Sequence, residues 1–431
     1  MQQNLNNSQQ ALNNNAQQNL NNSQQVLNNN LNKIKFLTGN AEGLVNINKI
    51  FAKEPFDDEI INFLNDLSQS LILNKECKNY SDVVTFAFWI RKSSSLKLKE
   101  RFYDKNNLSL GKGVVFHVAP SNVPVNFAFS LASGLLTGNA NIVKVPSKDF
   151  AQVNLIVEAL NKVLSDERYK ALKDYIYLIK YERDKEVNDL LTGLCDMRVI
   201  WGGDNTISEI RKSPLKARAG EITFADRYSA ALINSNYYLN LDLNLKLKAA
   251  QDFYNDTFFS DQNACTSPRA VIWTGNKINE AKKEFWRLEH ELVKNKYNFQ
   301  DIQAVNKLTS FYILAADKLN VKLENGFEDN LIMRAEVKEL EHDLMNYKDN
   351  SGYFFEYEVK ENILEIKNLL DNKKCQTLAY LSDDVQELKD LIMSGLKGVD
   401  RIVKFGKTMD FDLIWDGYNL FAALTRIISF D

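Results

Sequence analysis

The sequence predicts an α/β protein in which a doubly wound parallel sheet is followed by a second α/β unit. Short β-branched runs alternate with segments whose apolar residues recur at helical spacing, from about residue 111 to residue 396. The 431 residues are enough for two or three domains that each bury a core. No long linker separates the two units, so we expect them to pack together and leave a ligand cleft.

The first unit begins with helices and continues as a strand and helix alternation. Residues 51–99 carry apolar side chains at helical spacing. The elements that follow are, in chain order, a strand at Gly113–Ala119, a helix at Asn126–Leu136, a strand at Asn141–Val145, a helix at Asp149–Leu164, a strand at Tyr175–Lys180, a helix at Asp184–Leu191, a strand at Met197–Trp201 and a helix at Asn205–Lys212. Such an order is typical of a sheet with helices on both faces.

The second unit is predicted from a further set of the same signals. A strand at Ser229–Ile233, a helix at Leu245–Thr257 and a strand at Ala270–Trp273 open it. We predict a first domain at residues 33–228, which holds the N-terminal helices and the dinucleotide-binding sheet. A catalytic domain follows at residues 229–398, and a C-terminal segment at residues 399–431 returns to the body.

The N-terminal residues are unlike the rest of the chain. A fifteen-residue unit rich in asparagine and glutamine occurs twice, at residues 2–16 and 17–31, with no charge before Lys33. This composition predicts a disordered tail over residues 1–32. An alternative remains open, because four leucines spaced by seven or eight form an apolar stripe on a helix that self-associates or lies on the body. These are Leu5, Leu12, Leu20 and Leu27.

Composition excludes several function classes. Lysine plus arginine number 53 and aspartate plus glutamate 56, so a formal charge of −3 provides no general attraction to nucleic acid or anionic lipid. Four isolated cysteines and three histidines without metal-type spacing give little material for disulfides, a metal site or a catalytic triad. No secretion signal and no membrane span is apparent. We predict a cytoplasmic protein that uses cysteine, carboxylate or cofactor chemistry.

One cysteine lies in a loop that suits nucleophilic catalysis. Cys265 is surrounded by small and polar residues in SDQNACTSPR, directly before an apolar strand. An accessible thiol among main-chain N–H groups favours the thiolate. The alternative is that a lone cysteine acts as a small buried apolar residue, which is how we interpret Cys77, Cys195 and Cys375.

Polar residues that follow the strands of the first unit are candidates for binding. In PSNVP, two prolines present Asn122 as a donor to an oxyanion, or alternatively as a cap of the next helix. Lys144 ends a strand where ribose or phosphate binds in doubly wound sheets, or alternatively its side chain only extends from the apolar strand to solvent. Ser147 and Lys148 follow it and would tolerate a 2′-phosphate, which favours NADP over NAD. Gly202 and Gly203 precede a helix, a weak signal for pyrophosphate.

Taken together and in this order, five segments resemble the aldehyde dehydrogenase superfamily, and most closely its LuxC-type acyl-CoA reductases, also called fatty acid reductases. The resemblance covers the chain from about Phe36 to the C-terminus. The segments are GKGVVFHVAPSNVPVNFAFSLASGLLTGNANIVKVPSK (Gly111–Lys148), WGGDNTISEIR (Trp201–Arg211), SDQNACTSPRAVIW (Ser260–Trp273), QTLAYLSDD (Gln376–Asp384) and DRIVKFGKTMDFDLIWDGYNLFAALTR (Asp400–Arg426).

The resemblance implies roles for individual residues. Cys265 is the nucleophile, and Asn122, aided by the Cys265 main-chain N–H, stabilises the oxyanion. Lys144 contacts a ribose of the cofactor, while Ser147 stands where NAD or NADP is selected. The glycine turn that meets the cofactor phosphates falls at Gly202 and Gly203. A later glutamate that holds the nicotinamide ribose falls at Glu356 or Glu358.

One departure from the hydrolytic members of the superfamily is informative. Their glutamate base aligns with FADR (Phe224–Arg227), which contains no glutamate, although Glu221 lies close in sequence. A missing base suits an enzyme that exchanges its acyl group with a thiol, since no water has to be activated.

The implied activity is NADPH-dependent reduction of a long-chain acyl thioester to an aldehyde through an acyl-cysteine. The implied partners are an acyl-CoA or acyl-carrier substrate, an acyl-activating synthetase or transferase, and further copies of the chain in a homo-oligomer. Two alternatives stay open: a semialdehyde-type reductase of a small activated acid, and an inactive adapter that recruits partners through its repeat tail.

Overall fold

The computed structural model describes residues 24–430, except 325, 326 and 328. The chain divides into two compact units. The first comprises the described residues up to Ala225 and those from Tyr418 onward, and the second is Asp226–Gly417. Within the described part of the chain, no helix has the length and apolarity needed to cross a membrane.

The first unit contains the following helices and strands. They are α1 (24–32), β1 (Lys35–Thr38), α2 (Ala41–Asn46), α3 (Asp58–Leu73), α4 (Ser81–Trp89), α5 (Lys92–Phe102), β2 (Leu108–Gly111), β3 (Val114–Val118), α6 (Asn126–Leu136), β4 (Ala140–Lys144), α7 (Ala151–Leu164), β5 (Ile176–Lys180), α8 (Lys185–Leu194), β6 (Met197–Trp201), α9 (Asp204–Arg211) and β7 (Gly220–Phe224).

The second unit follows. Its elements are β8 (Tyr228–Asn234), α10 (Ser235–Asn240), α11 (Leu243–Asp256), β9 (Pro268–Thr274), α12 (Ile278–Lys296), α13 (Asp301–Asp317), β10 (Lys322–Glu324), β11 (Met333–Glu336), β12 (Tyr353–Glu358), α14 (Lys367–Leu370), β13 (Cys375–Leu381), α15 (Gln386–Met393), β14 (Arg401–Lys404) and β15 (Ile414–Trp415). The chain then returns to the first unit with β16 (Tyr418–Asn419), α16 (Leu420–Leu424) and β17 (Thr425–Ile428).

The sheet of the first unit, sheet 1, has the strand order β1-β5-β4-β3-β6-β7. Only β1 runs antiparallel to its neighbour. The chain passes from β3 to β4 and β5 on one side and then to β6 and β7 on the other, so the order reverses between β3 and β6. The carboxyl ends of β3, β4 and β6 share what we call the carboxyl edge of sheet 1, the usual ligand position in such sheets.

The sheet of the second unit, sheet 2, has the order β10-β11-β12-β9-β8-β13-β14. All of its neighbours are parallel except β10 and β11. The amino ends of β8, β9 and β12 therefore share an edge, which we call the amino edge of sheet 2. Apolar clusters cover both faces of this sheet.

Burial explains why these segments form a doubly wound fold. All five residues of β3 are buried, as expected of a central parallel strand covered on both faces. Nine of the eleven residues of α6 are buried, and this helix lies at the bounds that the sequence predicted. The predicted α/β class with a doubly wound first sheet is confirmed, and the second sheet is also largely parallel.

The division into units differs from the predicted one at both boundaries. The second unit begins at Asp226 rather than at residue 229, since β8 already pairs in sheet 2 from Tyr228. The C-terminal return begins at Tyr418 rather than at residue 399, because β14 pairs with β13 in sheet 2. After the return, β17 pairs antiparallel with β2.

The end of the repeat tail is helical, whereas the sequence predicted disorder up to residue 32. Helix α1 ends with Asn30 and Leu31 buried, and Lys33 forms ion pairs with Asp184 and Glu186 at 2.9 and 3.0 Å. These contacts order residues 24–32, which composition alone did not indicate. The remaining tail and the first three leucines of its apolar stripe lie outside the described residues.

Candidate active site

The cysteine loop (Ser260–Ser267) is a compact turn directly before β9. Asp261 and Gln262 adopt left-handed backbone conformations with φ of 52° and 58°. The N–H of Gln262 donates to the carbonyl of Thr257 at 2.8 Å, and that of Ser267 to the carbonyl of Ala264 at 3.0 Å. The loop therefore reverses the chain at the amino edge of sheet 2.

Gln262 anchors this loop to the neighbouring strand. Its side chain is fully buried, and Nε2 donates to the carbonyls of Pro268 and Tyr353 at 2.9 and 3.1 Å. Its Oε1 accepts from the N–H groups of Gly352 and Tyr353 at 3.0 and 3.2 Å. Three of these hydrogen bonds fix the loop against the start of β12, and the fourth fixes it to the start of β9.

Cys265 is the one partly exposed cysteine of the four, since Cys77, Cys195 and Cys375 are buried. Ser229 Oγ donates to the carbonyl of Cys265 at 2.8 Å, which joins the loop to β8. The sequence prediction that the other three cysteines are buried apolar residues agrees with the structure. Cys265 therefore has a fixed main chain and is the least buried of the four cysteines.

The surroundings of Cys265 act on its pKa in opposite directions. Burial raises the pKa of the thiol above its ordinary value. The main-chain amide of Arg227 lowers this pKa, as does the charge of Lys348, whereas the carboxylates of Asp226 and Asp416 raise it. Lys348 Nζ lies 3.3 Å from Asp226 Oδ2, so these two charges partly offset each other near the sulfur.

Arg227 lies in the segment that aligns with the glutamate base of hydrolytic enzymes. Its guanidinium is only 10% exposed and donates to the carboxylates of Asp400 and Asp416. A further hydrogen bond of 2.5 Å reaches the carbonyl of Cys375. These hydrogen bonds occupy the guanidinium, so it is not available to act on a substrate. The main-chain amide of Arg227 lies beside Cys265.

Glu221, the nearest glutamate in sequence, is engaged elsewhere. One of its carboxylate oxygens accepts from Arg198 at 2.7 Å and the other from Arg211 at 2.7 Å. A carboxylate held by two arginines on β7 is a poor general base. This arrangement removes Glu221 as a substitute for the missing glutamate.

Asn122 follows β3 at the carboxyl edge of sheet 1. Its residue is exposed, and among the described residues its side chain has no hydrogen-bond partner. The alternative role as a helix cap does not hold, because the N-cap of α6 is Val125 and no side chain caps that helix. The amide of Asn122 is therefore available to a ligand.

Lys144, Ser147 and Lys148 end or follow β4 at the same edge. The Lys144 ammonium lies 4.0 Å from the ring centroid of Tyr181, and burial lowers its pKa. Ser147 and Lys148 are exposed, with the Lys148 ammonium 5.2 Å from the centroid of Phe150. These side chains supply two cations and a hydroxyl beside one strand end.

Gly202 and Gly203 connect β6 to α9. The N–H of Gly202 is used in a 3.0 Å hydrogen bond to the carbonyl of Phe224. Gly203 is the N-cap of α9, and a Cβ built on it would meet nothing within 4 Å. The open space at Gly203 and the first N–H groups of α9 fit a phosphate, whereas the N–H of Gly202 is not available to one.

The assignment of Glu356 to a cofactor is corrected by its environment. Glu356 is fully buried on β12, and its Oε1 accepts from the indoles of Trp273 and Trp286 at 2.9 and 2.7 Å. Its Oε2 accepts from Arg334 at 3.0 Å. A carboxylate enclosed in this way has no oxygen left for a ribose. The alternative, Glu358, is bound to Lys282 at 2.7 Å.

Three charged residues near Cys265 were missed by the sequence analysis: Arg227, Arg269 and Lys348. Each precedes or begins a strand of sheet 2, so parallel pairing brings them to the amino edge with Cys265. Their spacing along the chain is irregular, and although Arg269 ends SDQNACTSPR and Arg227 ends FADR, no pattern in these segments gave either arginine a role. The one available signal was a charge at the start of an otherwise apolar strand, as in PRAVIW (Pro268–Trp273).

The fold is that of the aldehyde dehydrogenases. Glyceraldehyde-3-phosphate dehydrogenase GapN from Methanocaldococcus jannaschii, solved with NADP, is similar with a TM-score of 0.64 and 13% identity, covering 90% of this chain and 92% of that one. Aldehyde dehydrogenase 21 from Physcomitrella patens, solved with succinate, has a TM-score of 0.65 and 12% identity, covering 90% and 88%. The predicted aldehyde-dehydrogenase-like fold is confirmed.

Within that class, the chain belongs to the acyl-CoA reductase (LuxC) family, whose model matches residues 92–428. Among curated relatives, a long-chain acyl-protein thioester reductase of Vibrio harveyi is 23% identical over 303 residues, and one of Photorhabdus laumondii is 22% identical over 302 residues. The matched region covers 68% of this chain but only 59% and 58% of these relatives. The family predicted from the sequence is confirmed.

Proposed function

We propose that this protein reduces an acyl thioester to an aldehyde, with Cys265 as the nucleophile and NADPH as the reductant. The observation that carries the proposal is the cysteine loop, in which the one partly exposed cysteine is fixed by buried hydrogen bonds at the edge of a sheet. Membership of the acyl-CoA reductase family gives the reaction class.

The chemistry starts at the Cys265 sulfur. Its thiolate attacks the thioester carbonyl, a C–S bond forms to the enzyme, and the bond to the carrier sulfur breaks as the carrier thiolate leaves. Reduction of the acyl-cysteine gives a thiohemiacetal, whose C–S bond breaks to release the aldehyde and restore the thiolate. Cysteine suits both steps because it is a strong nucleophile and an acceptable leaving group.

Asn122 is assigned to the oxyanion in this proposal. Negative charge develops on the carbonyl oxygen when the sulfur attacks, and an amide donor with no other partner stabilises it. The Cys265 main-chain N–H is the second donor. Removal of one such donor from an enzyme typically costs about 3 kcal/mol of barrier.

The absence of a glutamate from the segment 224–227 supports transfer to a thiol rather than to water. Asp226 is the one carboxylate of this segment, and its side chain forms an ion pair with Lys348 at 3.3 Å. An acyl-cysteine without a competent base to activate water persists long enough to be reduced.

The carboxyl edge of sheet 1 fits a dinucleotide. Lys144 would hold a ribose, Gly203 and the start of α9 would hold phosphate, and Ser147 with Lys148 would accept a 2′-phosphate. Two cations without a carboxylate among these three side chains favour NADPH over NADH. When bound, the reduced nicotinamide supplies the hydride for the acyl carbon.

The substrate proposed is a long-chain acyl group, since the curated relatives are named long-chain acyl-protein thioester reductases. The donor is acyl-CoA or an acylated carrier, so an acyl-activating synthetase or transferase would supply it. Four free cysteines fit a reducing compartment, and we place the enzyme in the cytoplasm, as a homo-oligomer.

The direct test is to follow NADPH oxidation with short-, medium- and long-chain acyl-CoA and to trap the product as a hydrazone. We expect aldehyde equal to the NADPH consumed, none from Cys265→Ser, and a preference for NADPH that Lys148→Ala reduces roughly tenfold. Turnover by Cys265→Ser at the wild-type rate, or NADPH oxidation without aldehyde, would contradict the proposal.

A further inference from the structure

Lys307, on α13, is a fully buried cation whose hydrogen bonds all reach main-chain oxygens. Its Nζ donates to the carbonyls of Asn330, Leu331 and Ser351 at 2.6, 3.1 and 2.8 Å. An ammonium group has three N–H donors, so each donor has one acceptor. Among the described residues, no carboxylate forms an ion pair with this ammonium. A buried cation of this kind is unfavourable unless its hydrogen bonds are made in full.

The three carbonyls belong to two connections that precede neighbouring parallel strands. Asn330 and Leu331 precede β11, and Ser351 lies in the segment before β12, residues 349–352, which we call the pre-β12 loop. Asn330, Ser351 and Gly352 have left-handed backbone conformations, with φ of 56°, 59° and 87°. This conformation is unfavourable for residues other than glycine. Lys307 therefore joins two strained connections at the amino ends of β11 and β12.

The pre-β12 loop also contacts the cysteine loop. The N–H of Ser351 donates to the carbonyl of Asp261 at 3.1 Å, and the N–H of Gly352 donates to Gln262 Oε1 at 3.0 Å. Asp261 and Gln262 are the left-handed residues of the cysteine loop. Ser351 thus accepts from Lys307 through its carbonyl and donates to the cysteine loop through its N–H. A single residue connects the buried ammonium to this loop.

Two further side chains on the same face of α13 contact these loops. Gln303 and Ser310 lie four residues before and three residues after Lys307, which places all three on one side of the helix. Ser310 Oγ donates to a carboxylate oxygen of the pre-β12 loop at 2.7 Å. Gln303 Nε2 donates to the hydroxyl of Tyr297 at 3.1 Å, and that hydroxyl donates to Asp261 Oδ1 at 2.7 Å. The polar face of α13 is therefore directed to the pre-β12 loop and the cysteine loop.

We propose that Lys307 is a positioning residue that holds the cysteine loop, and with it the Cys265 sulfur, in the geometry needed for attack. It acts through the pre-β12 loop and does not touch the substrate. Without its donors, three buried carbonyls lose their partners, so the pre-β12 loop should relax and release the cysteine loop. The inference rests on the proposed function only in taking Cys265 as the nucleophile.

The test compares Lys307→Met, which keeps a long side chain without donors or charge, with the control Leu314→Ala. Leu314 is fully buried on the same helix and belongs to an apolar cluster, so its variant lowers stability without removing a hydrogen bond. Thermal melts record the stability of both variants. Rates are measured at pH 6.5, because burial lowers the pKa of Lys307 to about 7 while the charges of Asp349 and Asp329 oppose this change. The wild-type side chain is then mainly charged.

The first rate is acylation of Cys265 by long-chain acyl-CoA without NADPH, followed by the mass of the intact protein. For Lys307→Met we expect acylation to be about 10²-fold slower, since a misplacement of about 1 Å at a reacting group has an effect of this size. Leu314→Ala should be acylated near the wild-type rate. Lys307→Gln, which keeps two donors without the charge, should lie between the wild type and Lys307→Met, and it carries the test if the methionine variant does not fold.

The second rate is modification of each cysteine by iodoacetamide, with the sites located by peptide mass spectrometry. Burial raises the pKa of the Cys265 thiol, and a released loop reduces that burial. We therefore expect Cys265 of Lys307→Met to react roughly three- to tenfold faster, which corresponds to a pKa lower by up to about one unit. The buried Cys195 and Cys375 should react as in the wild type. A purely structural role predicts instead that these cysteines also react faster, in Leu314→Ala as in Lys307→Met.

Acylation of Lys307→Met at the wild-type rate, or equal changes in Lys307→Met and Leu314→Ala, would overturn the proposal. The proposed function fails separately. If acyl-CoA leaves wild-type Cys265 unmodified while Lys307→Met still speeds the reaction of Cys265 alone with iodoacetamide, the function is wrong and the positioning role stands. If the wild type forms an acyl-cysteine and Lys307→Met forms it equally fast, the function stands and the positioning role is wrong.

Discussion

The two sheets use opposite edges for their candidate functional residues. In the first unit, Asn122, Lys144 and Gly203 all follow strands and lie at the carboxyl edge of sheet 1. In the second unit, Cys265 and Arg227 precede strands and lie at the amino edge of sheet 2. At the first edge Asn122, Ser147 and Lys148 are exposed, whereas at the second edge Gln262 makes four buried hydrogen bonds.

This difference indicates that the carboxyl edge of sheet 1 serves to bind ligands and the amino edge of sheet 2 serves to fix the nucleophile. An open edge can take a ligand with little rearrangement, because its donors are not already used. A nucleophile, by contrast, needs a fixed direction of attack, and Gln262 provides it with four hydrogen bonds in the interior. Substitutions at the first edge should therefore change activity alone, and substitutions at the second should change stability as well.

The largest effect is expected from Asn122→Ala at the carboxyl edge of sheet 1. Loss of the oxyanion donor should lower the rate of aldehyde formation by about 10²- to 10³-fold and leave the melting temperature unchanged. Steady-state kinetics and thermal melts measure the two quantities. The matched control is the exposed neighbour Ser121→Ala, for which we expect near wild-type rates. Equal loss in both variants would remove Asn122 from the mechanism.

Gln262→Ala, at the amino edge of sheet 2, should mainly lower the stability of the second unit. It leaves buried groups of Pro268, Gly352 and Tyr353 without partners, so we expect the free energy of unfolding of the second unit to fall by about 3 kcal/mol. Denaturant titration measures this loss. Asn263→Ala, which removes one exposed hydrogen bond from the same loop, should cost less than about 1 kcal/mol. A Gln262 variant as stable as the Asn263 variant would contradict the account.

The two units should also respond to pH with opposite sign. In the first unit, burial lowers the pKa of His117 to about 4, so the unfolded chain binds the extra proton between pH 4 and 6.5 and stability rises with pH in that window. In the second unit, burial raises the pKa of Asp256 to about 7, and burial also raises the pKa of the unpartnered Glu289. Stability there falls as pH rises from about 4 to 7.

Hydrogen exchange of peptides from β3 and from α12, corrected for intrinsic rates, measures these opposite slopes. Glu289→Gln removes one of the two buried acids and should flatten the fall in the second unit without changing the first. Glu291→Gln on the same helix, where the native glutamate is exposed and paired with Arg287, is the matched control and should change neither slope. Parallel slopes in the two units would show that these groups do not govern stability.

The smallest effects are expected from the partly exposed Lys348 and the exposed Asp226 beside Cys265. Lys348→Met should raise the pKa of the thiol and slow its modification by iodoacetamide at pH 7, whereas Asp226→Asn should lower that pKa and speed modification. Each change should be roughly two- to fivefold, as is typical of partly exposed charges. Changes of the same sign in both variants would contradict the assigned electrostatics.

The sequence predicted the candidate site residues at the carboxyl edge of sheet 1 better than those at the amino edge of sheet 2. Asn122, Lys144 and Gly203 were found because strand-to-helix turns have recognisable signals and a known relation to ligands. Arg227 was not found, since only the pairing of β8 and β9 brings it to the same edge as Cys265. Irregular spacing along the chain gave no indication of that neighbourhood.

Glu356 shows a second limit of prediction from sequence. Its segment, YFFEYE, forms β12, but sequence alone does not tell whether an acidic residue in a strand faces a ligand or the interior. The two indoles and the guanidinium that donate hydrogen bonds to this carboxylate come from three other elements: β9, α12 and β11. Such a buried polar network depends on tertiary packing, which no local pattern predicts.

The most direct test of the central claim is the mass of the intact protein after incubation with long-chain acyl-CoA in the absence of NADPH. We expect one acyl adduct on the wild-type chain, none on Cys265→Ala, and loss of the adduct with release of aldehyde when NADPH is added. An adduct of equal yield on Cys265→Ala, or aldehyde formed by that variant at the wild-type rate, would contradict it.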